Sequence, residues 1–148
     1  MLKSMFIGEY RHTIDTKKRL AIPAKFRKDM GQKVVLTRGL DSCLFIYPIK
    51  EWETLAQNLS KLPTGKSETR SFVRLMLAGA LDIDIDALGR ILLPDYLKTY
   101  AGLAKKVIIA GVYNRLEIWD EIKWNEYKSK AEQSSENIAE KLGDLGVY

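Results

Sequence analysis

The 148 residues include one cysteine, Cys43, and one histidine, His12. A lone thiol cannot close a disulfide within the chain, and such usage suits a reduced compartment. One histidine leaves no second base for a nucleophilic triad and no cluster for a zinc ion. No apolar run reaches the roughly 18 residues that a membrane-spanning helix needs, and no glycine-rich phosphate loop is present. Met1 to Tyr10 lacks the charged-then-apolar layout and small-residue cleavage site of a signal peptide, which points to the cytosol. These absences argue against an enzyme, a cofactor, a small-molecule substrate and a membrane partner.

Positive charge is abundant but unevenly spread. The net charge is +5, yet residues 1–40 carry ten Lys or Arg against three Asp or Glu. The stretch 82–125 holds six bases against seven acids. A basic patch of this kind suits a polyanion such as nucleic acid, although a solubilising surface has the same composition.

The chain also repeats itself. Asp15, Arg19, Pro23 and Arg27 fall over Asp86, Arg90, Pro94 and Lys98 at a constant offset of 71, with apolar residues in the same slots between them. Lys33–Thr37 matches Lys106–Ala110, Leu44–Tyr47 matches Leu116–Trp119, and Trp52 matches Trp124. This is a tandem duplication. Each copy begins with an alternating strand, Tyr10–Ile14 or Leu81–Ile85, then a turn and a short apolar strand, Leu20–Ile22 or Ile91–Leu93. A proline opens a short helix that Gly31 or Gly102 stops. Two strands follow, joined by a turn at 38–42 or 111–115, and a helix closes the unit at 49–62 or from Glu121 to about Lys141.

Units of about 45 residues are too small to bury a stable core alone, so the two should pack as a pseudo-dimer. The expected division is repeat one at 6–53, a helical connector at 54–80, repeat two at 81–124, and a C-terminal helix and tail at 125–148. In the connector, Ser67–Ala80 reads as a helix with Ser67 as its cap. Its run Phe72–Leu77 is apolar on more than one face, which fits deep burial or sharing with another subunit of a homo-oligomer.

The sharpest candidate site is the turn Asp15-Thr16-Lys17-Lys18-Arg19, whose three bases should point outward beside Arg11, His12, Lys25, Arg27 and Lys28. Lysine offers mobile charge for phosphates, and the arginine fork can pair with guanine O6 and N7. Composition alone slightly favours a solvated turn. Copy two keeps Arg90 but lacks both lysines, so copy one should dominate. Asp82, Asp84 and Asp86 resemble the start of a calcium loop, but Ala87 and Leu93 stand where the glycine and glutamate belong. Alternation places those carboxylates on one exposed strand face. Cys43 reads as packed core, as do Tyr47, Trp52, Trp119, Trp124 and Tyr127.

Met5 to Pro23, Leu36 to Pro48 and Asn114 to Trp119 resemble the MraZ family of bacterial transcriptional regulators. The resemblance implies a β-rich α+β fold: two tandem SpoVT-AbrB-type, swapped-hairpin β-barrel repeats packed as a pseudo-dimer, with helices after each. It implies a ring-shaped homo-oligomer, cytoplasmic and nucleoid-associated, that binds double-stranded DNA at short direct repeats upstream of its own operon. The family's Asp-x-Lys-Gly-Arg motif lands on Asp15, Lys17, Lys18 and Arg19, and more weakly on Asp86 to Arg90. The expected DNA-binding set is Arg11, His12, Asp15, Lys17, Lys18, Arg19, Arg27 and Arg90. Lys18 replaces the motif glycine; if that position needs positive φ, the backbone cost is roughly 1 kcal/mol. Residues 1–4 precede the family's usual start, which makes Met5 an alternative initiation site. A ring-forming adaptor for an acidic protein and an RNA-binding module remain alternatives.

Overall fold

The structure is a computed structural model and describes residues 5–147; the residues that bear on the alternative start at Met5 lie outside it. The elements of the first repeat are β1 (Phe6–Thr13), β2 (Arg19–Ala21), α1 (Ala24–Met30), β3 (Lys33–Arg38), β4 (Leu44–Pro48) and α2 (Ile49–Ser60). After α3 (Ser67–Ala78), the second repeat runs through β5 (Leu81–Asp84), β6 (Arg90–Leu92), α4 (Asp95–Ala101), β7 (Lys106–Tyr113), β8 (Leu116–Asp120) and α5 (Glu121–Gln133). A last helix, α6, spans Ser135–Asp144. Pro23 and Pro94 stand just before α1 and α4 with extended backbone, where a missing N–H costs nothing. Gly31 and Gly102 end those helices at φ of 78° and 60°.

The fold is mixed α+β, dominated by an antiparallel sheet of order β1-β7-β8-β4-β3-β5 beside a two-stranded ribbon of β2 and β6. The repeats exchange their first strands: β1 pairs with β7 of repeat two, and β5 pairs with β3 of repeat one. The register reveals internal two-fold symmetry. Leu20 faces Ile91, its own repeat equivalent, and Phe45 faces Glu117, likewise its equivalent. A pseudo-dyad therefore passes between each of these pairs. The Thr13–Lys106 and Asp84–Lys33 pairings are related by the same rotation.

Packing follows that symmetry. The largest fully buried side chains form equivalent pairs, among them Leu20 with Ile91, Phe26 with Leu97, and Leu36 with Ile109. Each repeat supplies half of one shared core, which resolves the burial shortage of a 45-residue unit. A second cluster, with Cys43, Phe45, Tyr47, Ile108 and Trp119, lies on the other face of the sheet with Leu59 of α2 and Met76 of α3. The central strands β4 and β8 are consequently buried on both faces. Glu117 breaks the apolar pattern on the dyad, but its carboxylate accepts from Trp119 Nε1 at 3.0 Å and Arg115 Nη2 at 2.8 Å. A buried charge so partnered is tolerated.

Several expectations need correction. β1 is longer than the alternating stretch, beginning at Phe6, and β2 and β6 each begin one residue earlier than read. Helix α2 ends at Ser60 and α3 at Ala78. Ser67 is the first helical residue of α3, not its cap; Lys66 holds the cap position and no side chain bonds there. The C-terminal helix breaks at Ser134, where Ser135 Oγ instead donates to the Glu132 carbonyl. Within this chain α3 is not deeply buried, for Phe72 and Leu75 stay exposed. Tyr127 packs against Trp119 with ring centroids 4.8 Å apart and the rings tilted by 46°, but it stays 45% exposed.

Candidate nucleic-acid interface

Both repeat turns have one construction. In turn one, Asp15 Oδ1 accepts the backbone N–H of Lys17 and of Arg19, each at 2.9 Å. Its Oδ2 accepts Arg19 Nε at 2.9 Å. Turn two repeats this with Asp86, Leu88 and Arg90 at 2.9, 2.9 and 2.8 Å. Asp suits the position because its short side chain reaches its own following backbone. The backbone N–H bonds, foremost that of the arginine, hold both carboxyls below their ordinary value, aided by the guanidinium. Each arginine is engaged through Nε and so is held against the carboxylate of its own turn.

Lys18 sits at φ 63° and Gly89 at φ 80°. The turn does require positive φ at this position, and Lys18 bears the associated strain. Its Nζ lies 2.8 Å from Asp95 Oδ1, an exposed pair across the repeat boundary. The three bases therefore do not point outward together. Lys17 is exposed, Lys18 is drawn to Asp95, and Arg19 folds back on Asp15. Because an exposed ion pair contributes little, Lys18→Gly is expected to change stability by no more than about 1 kcal/mol. The same change should weaken duplex DNA binding. Chemical denaturation beside a binding titration checks this; parallel losses in both would refute it.

The strand exchange redistributes the remaining site residues. Each turn is stitched to the opposite repeat, Leu93 N–H to Lys18 O and Ile22 N–H to Gly89 O, both at 2.8 Å. Arg27 lies over Gly89 of turn two and donates from Nε to the Ile22 carbonyl at 2.8 Å. It does not join turn one. His12 is lowered from its ordinary value, chiefly by burial and then by the Arg27 charge. Arg11 is on the outer side of β1, 3.6 Å from Glu121, in a concavity shared with Lys106. Lys25 lies over the rings of Tyr10 and Phe26.

Two bases that sequence reading overlooked surround turn one. Lys98 of α4 and Lys105, just before β7, line a concavity of about 430 Å³ together with Asp15, Thr16 and Lys18. The equivalent positions around turn two hold Arg27, Gln32, Ala87 and Gly89. The concavity at turn one thus gathers three lysines, two of them from the repeat whose local charge is negative, beside the exposed Lys17. The repeat alignment contained the signal, because Lys98 is the equivalent of Arg27, but only the strand exchange says which turn it serves.

The family profile described as "MraZ protein, putative antitoxin-like" matches residues 5–75 and again 76–145. The chain is 50% identical over 143 residues to "Transcriptional regulator MraZ" of Natranaerobius thermophilus, covering 97% of this chain and 100% of that protein. The proteins of the same name from Acetivibrio thermocellus and Syntrophomonas wolfei are 48% and 49% identical, with the same coverage of both chains.

Proposed function

The chain belongs to the MraZ family, and on that footing we propose that it is a sequence-specific, double-stranded-DNA-binding transcriptional regulator rather than an enzyme. The observation that carries this is the pair of carboxylate-braced arginine turns, one of them ringed by lysines from both repeats. Braced arginine supplies base readout and lysine supplies phosphate attraction. On this reading Asp15, Lys17, Lys18 and Arg19 form the main contact, with Arg90 and Arg27 on the second turn and Arg11 and His12 at the flank. The target is a set of short direct repeats upstream of the protein's own division and cell-wall gene cluster.

The exchange of β1 and β5 supports reading 6–53 and 81–124 as swapped-hairpin halves of one barrel, with 54–80 and 125–148 as helical additions. The exposed Phe72 and Leu75 on α3 support a homo-oligomer, which we read as a ring. No helix among the described residues is long and apolar enough to cross a membrane. The protein is read as cytoplasmic and nucleoid-associated.

The test is titration of the full-length chain against a duplex from its own upstream region, a scrambled duplex and matched RNA. Preference for the upstream duplex is expected; equal binding to all three, or preference for RNA, overturns the reading. Arg19→Ala should weaken the upstream duplex by about 1–3 kcal/mol and narrow its lead over scrambled DNA. Arg90→Ala should do less, because turn two lacks the lysine seat. The two arginines are similarly presented, with side chains 31% and 26% exposed, so accessibility cannot account for a difference. Loss of binding in Arg90→Ala alone would place the reading head in repeat two.

A further inference from the structure

Leu88 occupies the position of Lys17 in the second turn and is 65% exposed. Its backbone N–H is bonded to Asp86, so a large apolar side chain is carried on a fixed loop. The pseudo-dyad that runs between Leu20 and Ile91 relates the two turns, so both stand at the same height along that axis, one at each end of the ribbon. Their spacing follows from the ribbon. Lys18 is bonded at the level of Leu93, and Gly89 at the level of Ile22. Four residue steps from 18 to 22 cover about 13 Å along a strand. That matches the major-groove width of roughly 12 Å and a run of about four base steps at 3.4 Å each. Two turns so spaced fit two positions of one groove segment, in orientations related by a two-fold rotation.

Resting on the reading of the chain as a duplex-DNA binder, we propose that Leu88 is a second specificity-determining residue. It makes apolar contact with a thymine 5-methyl group on the arm of the DNA element opposite Arg19. The thymine methyl is the apolar group that the major groove displays, whereas every other feature there is a donor or acceptor. A lysine turn and a leucine turn, related by a dyad and braced by the same hydrogen bonds, make the protein's two arms chemically unlike. Each subunit therefore binds its element in one orientation, with the lysine arm on one side and the leucine arm on the other. Directional binding is what sites repeated head to tail demand of a pseudo-symmetric head.

The experiment begins with selection by the full-length protein from a random duplex pool at fixed salt. The consensus duplex is then probed with thymine replaced by deoxyuridine at one position at a time, which removes only the methyl group. Wild type should lose roughly fourfold affinity at one or two positions, all on one side of the element's centre. Leu88→Ala should bind the unmodified duplex more weakly by a similar factor and be indifferent to the replacement. Leu88→Lys should restore affinity, steepen its salt dependence and select a more symmetric element. Deoxyuridine that is neutral everywhere, or equally harmful to wild type and Leu88→Ala, overturns the assignment while leaving duplex recognition intact. A pool that enriches no sequence overturns duplex recognition itself, and the assignment with it. Unchanged unfolding curves for the two variants are expected from so exposed a side chain.

Discussion

Leu20→Ala is expected to cost about 2–5 kcal/mol of folding stability, the range for emptying a fully buried leucine site. Leu20 has no exposed surface and faces Ile91, itself 1% exposed, directly across the pseudo-dyad. The strands that carry them are three residues long and pair only with each other. So short a ribbon gains little from its own hydrogen bonds, and its position depends on side chains buried in the shared core. Ile91→Ala should cost a similar amount for the same reason. The double variant should depart from additivity, because the two side chains are neighbours and share one cavity. Urea unfolding measures all three, and a comparable m-value is needed for the comparison to hold. A loss below about 1 kcal/mol for Leu20→Ala would show that the ribbon is not a core element. The functional consequence is local, for Arg19 directly precedes Leu20 and Arg90 directly precedes Ile91. Truncation loosens the base on which both turns stand.

What could be read from the residues was everything local. The coincidence of Asp, Arg and Pro across the copies reflects a turn, a buried strand and a helix start, each set by neighbouring residues. Positive φ at Lys18 was legible because Gly89 occupies the same slot. What could not be read was pairing between distant segments. Strand alternation shows that Tyr10 and His12 share a face, but not that β1 crosses to β7. That crossing brings Lys105 beside turn one, and the pairing of β2 with β6 sets Arg27 over turn two and Lys98 beside turn one. Counting charge along the chain therefore assigned the basic face to the first forty residues, although two of its lysines come from a stretch of net negative charge. The break at Ser134 escaped for a different reason. The segment around it is polar on every side, so no apolar stripe marks where one helix ends and the next begins. Tyr127 escaped similarly: an aromatic ring can cover Trp119 and still face solvent.

Raising salt from about 50 to 200 mM is expected to weaken duplex DNA binding by roughly 100-fold for each subunit engaged through four phosphate contacts. The four are the exposed Lys17 of turn one and Lys18, Lys98 and Lys105 of the concavity beside it. Each neutralised phosphate contributes a slope near −0.9 in log K against log salt, so four give about −3.6. The sharper expectation concerns which lysines carry that slope. Lys98→Gln and Lys105→Gln should each reduce it by about one, although both lie in repeat two. Lys141→Gln, on α6 at the far end of the chain, should leave it unchanged. The lysine substitutions should weaken upstream and scrambled duplexes alike, since phosphates carry no sequence. Arg19→Ala should do the reverse, sparing most of the slope while narrowing discrimination. If Lys98→Gln and Lys105→Gln keep the full wild-type slope, the seat around turn one is not a phosphate site. Positive charge would then act from the first repeat alone, as local counting suggests. If they lower it, the strand exchange has a functional meaning beyond burial: it is how a duplicated chain assembles one cationic seat from two repeats of unequal charge.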